Sequence, residues 1–466
     1  MPDSGALARL TATELYAAYR AGSVSPVQVL ADVWQQVERW EPVVNALAWQ
    51  DRDAAEAAAR AAEQRFARRE PLGPLDGIPM TLKENLARVG HPARAGSAGA
   101  TPTDPVRDAP VAERCLESGA VILGATTMPD WGMLSSGVSS LYGITRSPTE
   151  PVLTTGGSSS GAGAATVAAY GPIHVGTDIG GSVRLPGTWL GVVAHKPSFG
   201  RIPLDAPYLG RVAGPLTRTA ADAALAMSVL ARPDSRDYTA LPPSELDWSV
   251  EGAEVAGLRV GLLLDAGAGL PCDPEVLEVA EAAARVFEAG GAHVEPIRPW
   301  LTEAMLRDVD LFWRVRSWND VSALPPVQQA RVLPYILGWA EGGAHASGVE
   351  VLRAYQSVQA MRGATVAATA AYDLVLSPVA PVVSFPAEWP MPWGDDPSLG
   401  MAHVGYTVPF SMSGQPACSV NAGHLGDGRT VGLQVAGRRF DDVGVLRAVS
   451  WFEQARPADA VPRWPA

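Results

Sequence analysis

Lysine is almost absent from this chain of 466 residues. Only Lys83 and Lys196 stand among its 36 lysine and arginine residues. Arginine stays protonated in proteins, whereas a lysine can lose its proton when it is buried. Each lysine is therefore a candidate for chemistry that arginine cannot perform, although chance or packing accounts for one surviving lysine equally well.

Cysteine is also rare, and the chain carries no net positive charge. Cys115, Cys272 and Cys418 are odd in number, far apart and without CxxC or CxxH spacing, so they predict neither a disulfide framework nor a zinc site. Each of the seven histidines stands alone, without a partner at metal-ligand spacing. The net charge of −13 argues against a nucleic-acid partner, because nucleic acids select basic surfaces.

Long apolar runs, a leader pattern and linkers are missing as well. The uncharged stretch from Pro151 to Thr177 is too broken by Gly, Pro, Ser and His174 to be a membrane span. Residues 1–4 lack the charged-then-apolar pattern of a signal peptide, so we expect a cytoplasmic protein without a membrane partner. Because no Gly/Ser run, charge block or long repeat divides the chain, one domain is expected.

What the uncharged stretch does contain is glycine-rich turns with serines. Ser158 follows one pair of glycines, and Ser182, just beyond the stretch, follows another. Glycine allows backbone angles closed to other residues and lets successive N–H groups point into one concavity. Such a concavity can bind an oxyanion, and a serine at its edge can act as a nucleophile.

The segment before Lys83 predicts a strand that ends in this lysine. Residues 77–85 read Gly-Ile-Pro-Met-Thr-Leu-Lys-Glu-Asn, with mostly apolar residues at 78–82. A buried strand would deliver the ammonium group into an apolar setting, which favours the neutral amine.

Four separated motifs resemble those of the amidase signature family and occur in that family's order. They are residues 77–85, Gly156-Gly157-Ser158-Ser159, residues 176–184 (Gly-Thr-Asp-Ile-Gly-Gly-Ser-Val-Arg) and Lys196-Pro197-Ser198. The resemblance extends from about Leu10 to residues 431–434 and is loosest between about Pro233 and Ser377.

The resemblance implies a serine–cis-serine–lysine triad. Ser182 is then the nucleophile, Ser158 the relay serine after a cis peptide bond, and Lys83 the base. It further implies an oxyanion hole, and the residues around the predicted nucleophile suggest supporting roles. The predicted oxyanion donors are the backbone amides of Ile179, Gly180 and Gly181, and the predicted supporting residues are Ser159, Thr177, Asp178 and Arg184. Asp178 and Arg184 are expected to pair and brace the turn.

The coarse pattern of elements predicts an α/β fold. Two or three helices are expected in residues 12–69, and a hairpin around Gly426-Asp427-Gly428. The remaining predictions are helices at 109–118, 219–231 and 274–289, and strands at 78–82, 121–124, 192–196, 258–264, 293–297 and 374–376. This order, like the resemblance, indicates a single α/β/α domain over 1–466, with a mixed but largely parallel central sheet flanked by helices. Its catalytic core is expected at about 70–200 and a variable substrate-pocket region at about 233–410.

One competing motif involves the same serines. Gly157 to Gly161 also satisfies G-x-S-x-G, the nucleophile elbow of α/β-hydrolases, with Asp395 and His403 or His424 as possible triad partners. That elbow should follow a strand directly, and residues 152–155 make a poor one. It also leaves Lys83 and the second turn unexplained, so it is disfavoured.

The region expected to form the substrate pocket is rich in tryptophan. It holds six of the chain's 14 tryptophans: Trp300, Trp313, Trp318, Trp339, Trp389 and Trp393. They fit an aromatic pocket for apolar or aryl acyl groups, and equally well a packed core or a subunit contact. Residues 385–394 are predicted to be a loop.

The sequence thus predicts an amidohydrolase that cleaves the C–N bond of an amide, aryl amide or carbamate through a Ser182 acyl-enzyme. The expected partner is a small-molecule amide or carbamate, with no cofactor or metal, and the expected state is a monomer or homodimer. The alternative is the glutaminase-type subunit of a tRNA-dependent amidotransferase, which the acidic charge and the tryptophan-rich region disfavour.

Overall fold

A computed structural model describes residues 5–465, and thirteen strands lie within them. Residues 1–4, on which the expectation about a leader depends, lie outside this range. In chain order the strands are β1 (Leu47–Gln50), β2 (Pro79–Lys83), β3 (Val121–Thr126), β4 (Val138–Ser139), β5 (Gly143–Ile144), β6 (Ile173–Asp178), β7 (Val193–Lys196), β8 (Val212–Thr217), β9 (Arg259–Leu262), β10 (His293–Pro296), β11 (Leu374–Pro378), β12 (Ala417–His424) and β13 (Thr430–Gly437).

Fourteen α-helices connect these strands within the same residues. They are α1 (Ala12–Ala21), α2 (Pro26–Val44), α3 (Arg52–Arg68), α4 (Pro110–Glu117), α5 (Ser160–Val167), α6 (Arg184–Leu190), α7 (Ala220–Leu230), α8 (Pro274–Ala289), α9 (Glu303–Ser322), α10 (Pro326–Gln329), α11 (Pro334–Glu341), α12 (Gly348–Thr369), α13 (Val408–Ser413) and α14 (Asp442–Ala455).

Eleven of the strands form one mixed sheet, in the order β1-β3-β2-β6-β8-β7-β12-β13-β11-β9-β10. The pairs β3–β2, β2–β6, β11–β9 and β9–β10 are parallel. The other neighbours are antiparallel, including the predicted hairpin β12–β13. The mixed sheet is confirmed, but its predicted largely parallel character is wrong, because the middle of the sheet is a run of antiparallel neighbours.

Helices cover both faces of the sheet. Successive residues of β7 show this, since Val193 packs into the cluster that includes α7, α8 and α14, while Ala194 packs into the cluster that includes α5. Side chains of adjacent strand residues point to opposite faces, so these clusters lie on opposite sides. Strands β2, β3, β6 and β11 are buried along their full length, as expected of a sheet covered twice.

Local signals set the helix starts that the sequence predicts. Thr11 and Ser25 form capping boxes at α1 and α2, and Pro26 occupies the first turn of α2. The sequence does not predict strand β1, because its four residues, three of them half-buried, acquire strand character only by pairing with β3. Among the described residues, no helix is long and apolar enough to cross a membrane.

Candidate active site

The two glycine-serine turns lie side by side at one end of the sheet. The first turn leads into α5, and the second follows β6 and leads into α6. Residues 154–177 of the uncharged stretch are all buried as predicted, whereas Val152 near its start is exposed. The backbone N–H of Ser159 donates to the carbonyl of Ser182 at 3.0 Å, which fixes the two turns to each other.

Lys83, the last residue of β2, reaches the first of these turns. Its side chain is fully buried. Lys83 Nζ donates to Ser158 Oγ at 2.8 Å and to Ser159 Oγ at 3.2 Å. The peptide bond between Gly157 and Ser158 is cis. Three of the predicted site residues are therefore in direct contact.

The surroundings of Lys83 favour its neutral amine. Burial lowers the pKa of Lys83 well below its usual range, and the nearby charge of Arg211 lowers it further. Asp178 and Glu84 act in the opposite direction but do not cancel the effect of burial on this pKa. A neutral lysine can accept a proton, which an arginine cannot do.

Ser159 connects the lysine to the end of β6. Its Oγ donates to the carbonyl of Thr177 at 3.1 Å and accepts from the Thr177 N–H at 3.2 Å. The hydroxyl of Thr177 accepts in turn from Asn85 Nδ2 at 3.0 Å. Ser159 and Thr177 therefore position Lys83 relative to the second turn.

Asp178 and Arg184 form a fully buried ion pair at the base of the second turn. Arg184 Nε and Nη2 donate to the two carboxylate oxygens at 3.0 and 2.9 Å. Arg184 also donates to the carbonyl of Thr407 and to Gln434 Oε1. Burial alone would raise the pKa of Asp178, but Arg184 outweighs it and the pKa falls to about 2. The carboxylate therefore stays ionised and holds the turn.

The predicted oxyanion donors differ in their availability. Gly181 N–H donates to Asp178 Oδ1 at 2.9 Å, so it is occupied by the brace. Within residues 5–465 the amides of Ile179 and Gly180 have no protein acceptor. Gly181 has φ +133°, in the region that favours glycine, and a Cβ there would lie 2.9 Å from Thr407 Oγ1. Of the three predicted donors, Ile179 and Gly180 are free to bind an oxyanion and Gly181 shapes the turn.

Ser182 lies half-buried where two pockets meet. Its Oγ makes no hydrogen bond to another residue in the described part of the chain. Ser158 Oγ lies on the wall of one of these pockets and is bound by Lys83. Catalytic hydrogen bonds are often long without substrate, so an unformed Ser158–Ser182 bond is compatible with a relay.

The first pocket, here called the aromatic pocket, is lined mainly by apolar side chains. Such a lining is usual for pockets that bind small organic groups. Its apolar wall includes Trp131, Leu134, Trp313, Trp339, Met401 and Val404. The ring of Trp313 lies against Gly180, since a Cβ on that glycine would come within 2.9 Å of it.

The second pocket, here called the polar pocket, opens on the other side of Ser182. It shares Trp131, Gly132, Ile179, Ser182 and Arg316 with the aromatic pocket. Its polar wall includes Asn85, Arg94, Thr101, Ser158, Thr177, Arg211 and Arg316. Ser158 belongs to this pocket and not to the aromatic pocket.

The tryptophans of residues 300–393 divide between the two roles that the sequence leaves open. Trp313 and Trp339 line the aromatic pocket. Trp300 packs edge-on against Phe410 and donates to Thr365, so it belongs to the core. Residues 385–394 form a loop as predicted, in which Trp389 is exposed.

The histidine-based alternative does not fit the geometry. The hydroxyl of Ser159 is engaged by Lys83 and Thr177. His403 Nε2 lies 2.6 Å from Ser135 Oγ, and His424 Nε2 lies 3.0 Å from a backbone carbonyl near the end of the chain. Neither histidine contacts Ser159, and Asp395 is exposed.

Lys196, the other lysine, is buried in β7 away from both serine hydroxyls. Its Nζ donates to the carbonyl of Pro197 at 2.9 Å. Burial lowers the pKa of Lys196 to about 7, with a further contribution from Arg184. The expectation that this lysine has a packing or hydrogen-bonding role agrees with these contacts.

Three residues that line the pockets are not singled out by the sequence. Trp131 lies between two of the motifs without belonging to either, and Arg211 lies just before β8. Arg316 lies on α9, one turn from Trp313. The only sequence pattern that points to it is the helical spacing of residues 313, 316 and 317, which places them on one face of the helix. The sequence does not reveal which face of this helix meets the site.

Comparisons with known proteins agree with the motifs. Residues 28–446 match the family model described as Amidase. An acylamidase from Rhodococcus erythropolis is 33% identical over 466 residues, covering 97% of both chains. The glutamyl-tRNA(Gln) amidotransferase of Chloroflexus aurantiacus has a subunit that is 30% identical over 505 residues, covering 96% of this chain and 97% of that one.

A solved structure gives the same result for the fold. It is a bacterial aryl acylamidase of the amidase signature enzymes, with a TM-score of 0.88 and 27% identity over 98% of this chain and 99% of that one. The match of the family model over most of the residues and the likeness to these relatives agree with the predicted motifs. The chain belongs to the amidase signature family and is a hydrolase of carbon–nitrogen bonds.

Proposed function

We propose that this chain hydrolyses amides with an apolar or aromatic acyl group, through an acyl-enzyme on Ser182. The observation that carries the proposal is the buried contact between Lys83 Nζ and Ser158 Oγ at 2.8 Å, beside a half-buried Ser182 that faces two pockets. A neutral amine, a relay hydroxyl and an accessible nucleophile are the groups that acyl transfer without histidine requires.

In the first half-reaction Lys83 acts as the base. The neutral amine takes the proton of Ser158, and Ser158 takes the proton of Ser182. Ser182 Oγ then bonds to the carbonyl carbon, and the negative charge moves to the carbonyl oxygen. The free amides of Ile179 and Gly180 are suited to bind this oxyanion because they are preorganised and have no protein acceptor within residues 5–465.

The tetrahedral intermediate collapses when the nitrogen receives a proton. Ser158 donates that proton and recovers one from Lys83, so the C–N bond breaks and the amine leaves. Water then loses a proton through the same relay and attacks the acyl-enzyme. The products are a carboxylic acid and an amine, and Ser182 regains its proton.

The aromatic pocket supports an apolar acyl group. Three tryptophans, two of them from α9 and α11, line this pocket, and aromatic side chains pack well against an aryl ring. Anilides, other aryl amides and carbamates with such groups are the substrates that this pocket fits.

The likeness to an amidotransferase component supports a second candidate, hydrolysis of glutamine for a partner enzyme. The aromatic pocket disfavours it, because glutamine would place a polar, charged group against tryptophan. We therefore propose that the chain acts on small amides without a second subunit.

A panel of substrates tests the proposal. Purified protein is assayed with anilides, primary amides, amino-acid amides, aryl carbamates and glutamine. We expect the highest kcat/KM with aromatic acyl groups, with formation of the acid and amine in equal amounts. Turnover of glutamine alone, or co-purification with a required second subunit, would contradict it.

A further inference from the structure

The polar pocket holds three arginines and no acidic side chain on its wall. They are Arg94, Arg211 and Arg316. In the part of the chain that the structure describes, none of the three forms an ion pair with a carboxylate. By contrast, two buried arginines elsewhere are paired, Arg184 with Asp178 and Arg201 with Asp442.

The chain fixes Arg211 next to the nucleophile. Strand β8 runs antiparallel to β6, and Val212 is the partner of Asp178. Arg211 precedes Val212 and therefore lies opposite Ile179, the first residue of the oxyanion turn. Its backbone N–H donates to the carbonyl of Tyr208 at 2.9 Å, which closes a turn at this point.

Arg316 reaches the same place from α9. Its guanidinium carbon lies 4.5 Å from the ring centroid of Tyr208, so the cation stacks on the ring and is held in position. Two guanidinium groups from separate elements thus meet beside Ser182. Burial lowers the pKa of Arg211 to about 10, and the neighbouring charge of Arg316 contributes. Arg211 keeps its charge at this pKa, and the two cations repel each other.

The position of Ser158 shows which half of the substrate meets these arginines. In the proposed mechanism Ser158 gives its proton to the leaving nitrogen, and Ser158 lies on the wall of the polar pocket only. The amine half of the amide must therefore lie in the polar pocket, and the acyl half in the aromatic pocket.

We infer that the polar pocket binds an anionic group on the amine half of the substrate, foremost a carboxylate held by Arg211 and Arg316. Guanidinium groups bind carboxylates through charge-assisted, often bidentate hydrogen bonds. The substrate class is then an amino acid, or a related aminocarboxylate, acylated on its nitrogen by an apolar group. This inference rests on the proposed function, because the mechanism assigns the amine half to this pocket.

A different role for Arg211 makes a different prediction. Its charge also lowers the pKa of Lys83, so it could serve the base alone. In that case its loss would slow all substrates by the same factor. A carboxylate subsite instead makes the loss depend on the charge of the substrate.

The experiment compares two amides that share an acyl group and differ in one charge. They are N-phenylacetylglycine and its neutral counterpart N-phenylacetylethanolamine, both assayed by release of phenylacetate. We expect wild-type protein to favour the anionic amide by about tenfold or more in kcat/KM. Arg211→Gln and Arg316→Gln should each lower this ratio by about tenfold, while Arg353→Gln, an exposed arginine on α12, leaves it unchanged.

A binding measurement separates this inference from the proposed function. Calorimetry with Ser182→Ala needs no turnover, and we expect N-phenylacetylglycine to bind more tightly than N-phenylacetylethanolamine. Equal binding of the two amides, or equal loss of both activities in the arginine variants, would overturn the inference. If neutral aryl amides are hydrolysed in that case, the proposed function stands without it. Absence of all amide hydrolysis, with selective binding retained, would instead remove the proposed function.

Discussion

Gly181 donates its backbone N–H to Asp178 Oδ1 at 2.9 Å, and Arg184 Nη2 donates to the same oxygen at 2.9 Å. The second glycine-serine turn is therefore attached to a buried ion pair rather than to solvent-exposed loop contacts. This attachment uses only the N–H of Gly181. Within residues 5–465 the N–H groups of Ile179 and Gly180 have no protein acceptor and remain available to a ligand.

We expect Ser182→Ala to abolish turnover and to leave the fold intact. The substitution removes the proposed nucleophile, and Ser182 Oγ has no hydrogen bond to lose within the described residues. Loss of a nucleophile lowers kcat by several orders of magnitude. A variant with more than about a tenth of the wild-type kcat would exclude Ser182 from this role.

Labelling with a fluorophosphonate provides an independent check on the same residue. The probe should modify wild-type protein at Ser182, located by peptide mass spectrometry, and should leave Ser182→Ala unmodified. Modification at Ser159 instead would restore the nucleophile-elbow hypothesis.

Lys83→Arg should be nearly as damaging as Lys83→Ala. Arginine keeps the positive charge but does not release its proton, so it cannot replace a neutral base. Lys196→Arg is the matched control, because Lys196 is the only other lysine and contacts neither serine hydroxyl. We expect that control to lower the melting temperature more than it lowers kcat. Activity of Lys83→Arg within a few-fold of wild type would end the assignment of Lys83 as base.

The dependence of kcat/KM on pH should also show that a neutral lysine acts as the base. Burial lowers the pKa of Lys83, and only the neutral amine accepts a proton, so kcat/KM should rise as pH increases through this lowered pKa. The inflection should lie well below that of a free lysine and be absent from the residual activity of Lys83→Ala. A profile that falls over this range would require a protonated group instead.

Lys196 gives a prediction for stability against pH. Its pKa is about 7 in the folded protein and about 10.4 in an unfolded chain. Between these values the unfolded chain binds more protons, so stability should increase with pH, by up to about 1.4 kcal/mol per pH unit for this group. The unfolding free energy of Lys196→Met should lack this contribution, which urea titrations at pH 7 and pH 9 measure. Parallel pH dependence in wild type and variant would show that Lys196 does not lose its proton on folding.

The aromatic pocket predicts selectivity for the acyl group. Trp313→Ala should lower kcat/KM for a phenylacetyl anilide relative to an acetyl anilide by about tenfold, because a large apolar contact is removed. Trp300→Ala is the matched control, since Trp300 packs on Phe410 in the core. It should lower thermal stability without changing the ratio of the two substrates. A selectivity ratio that Trp313→Ala leaves unchanged would place the acyl group elsewhere.

Local motifs explain why much of this site could be predicted from the sequence. Lys83 ends an apolar strand, and Ser158 and Ser182 each follow two glycines, so short patterns identify them. Short sequence patterns do not predict the lining of the polar and aromatic pockets. Trp131, Arg211 and Arg316 lie in three distant parts of the chain, and their proximity arises only from the packing of α9 and from the pairing of β8 with β6.

The features of the fold that the sequence does not predict also depend on contacts between distant residues. Helices that have proline in their first turn can be predicted close to their observed bounds, as α8 shows. Strand direction is less accessible, because it depends on which strands become neighbours. The amide of Gly181 is occupied by the nearby side chain of Asp178, but Arg184, which holds that carboxylate, is itself bound by Thr407 and Gln434 from distant parts of the chain.

The two pockets have separate origins in the chain, and this has a consequence for changing the enzyme. The far wall of the aromatic pocket comes mostly from residues 313–404, whereas Arg94 and Arg211 of the polar pocket come from earlier segments. Specificity for the acyl half of the substrate and specificity for its amine half should therefore be adjustable separately, by mutating different stretches of sequence. Helix α9 is the exception, because Trp313 faces one pocket and Arg316 borders both. A tilt or register shift of this helix would change the preferred acid and the preferred amine together.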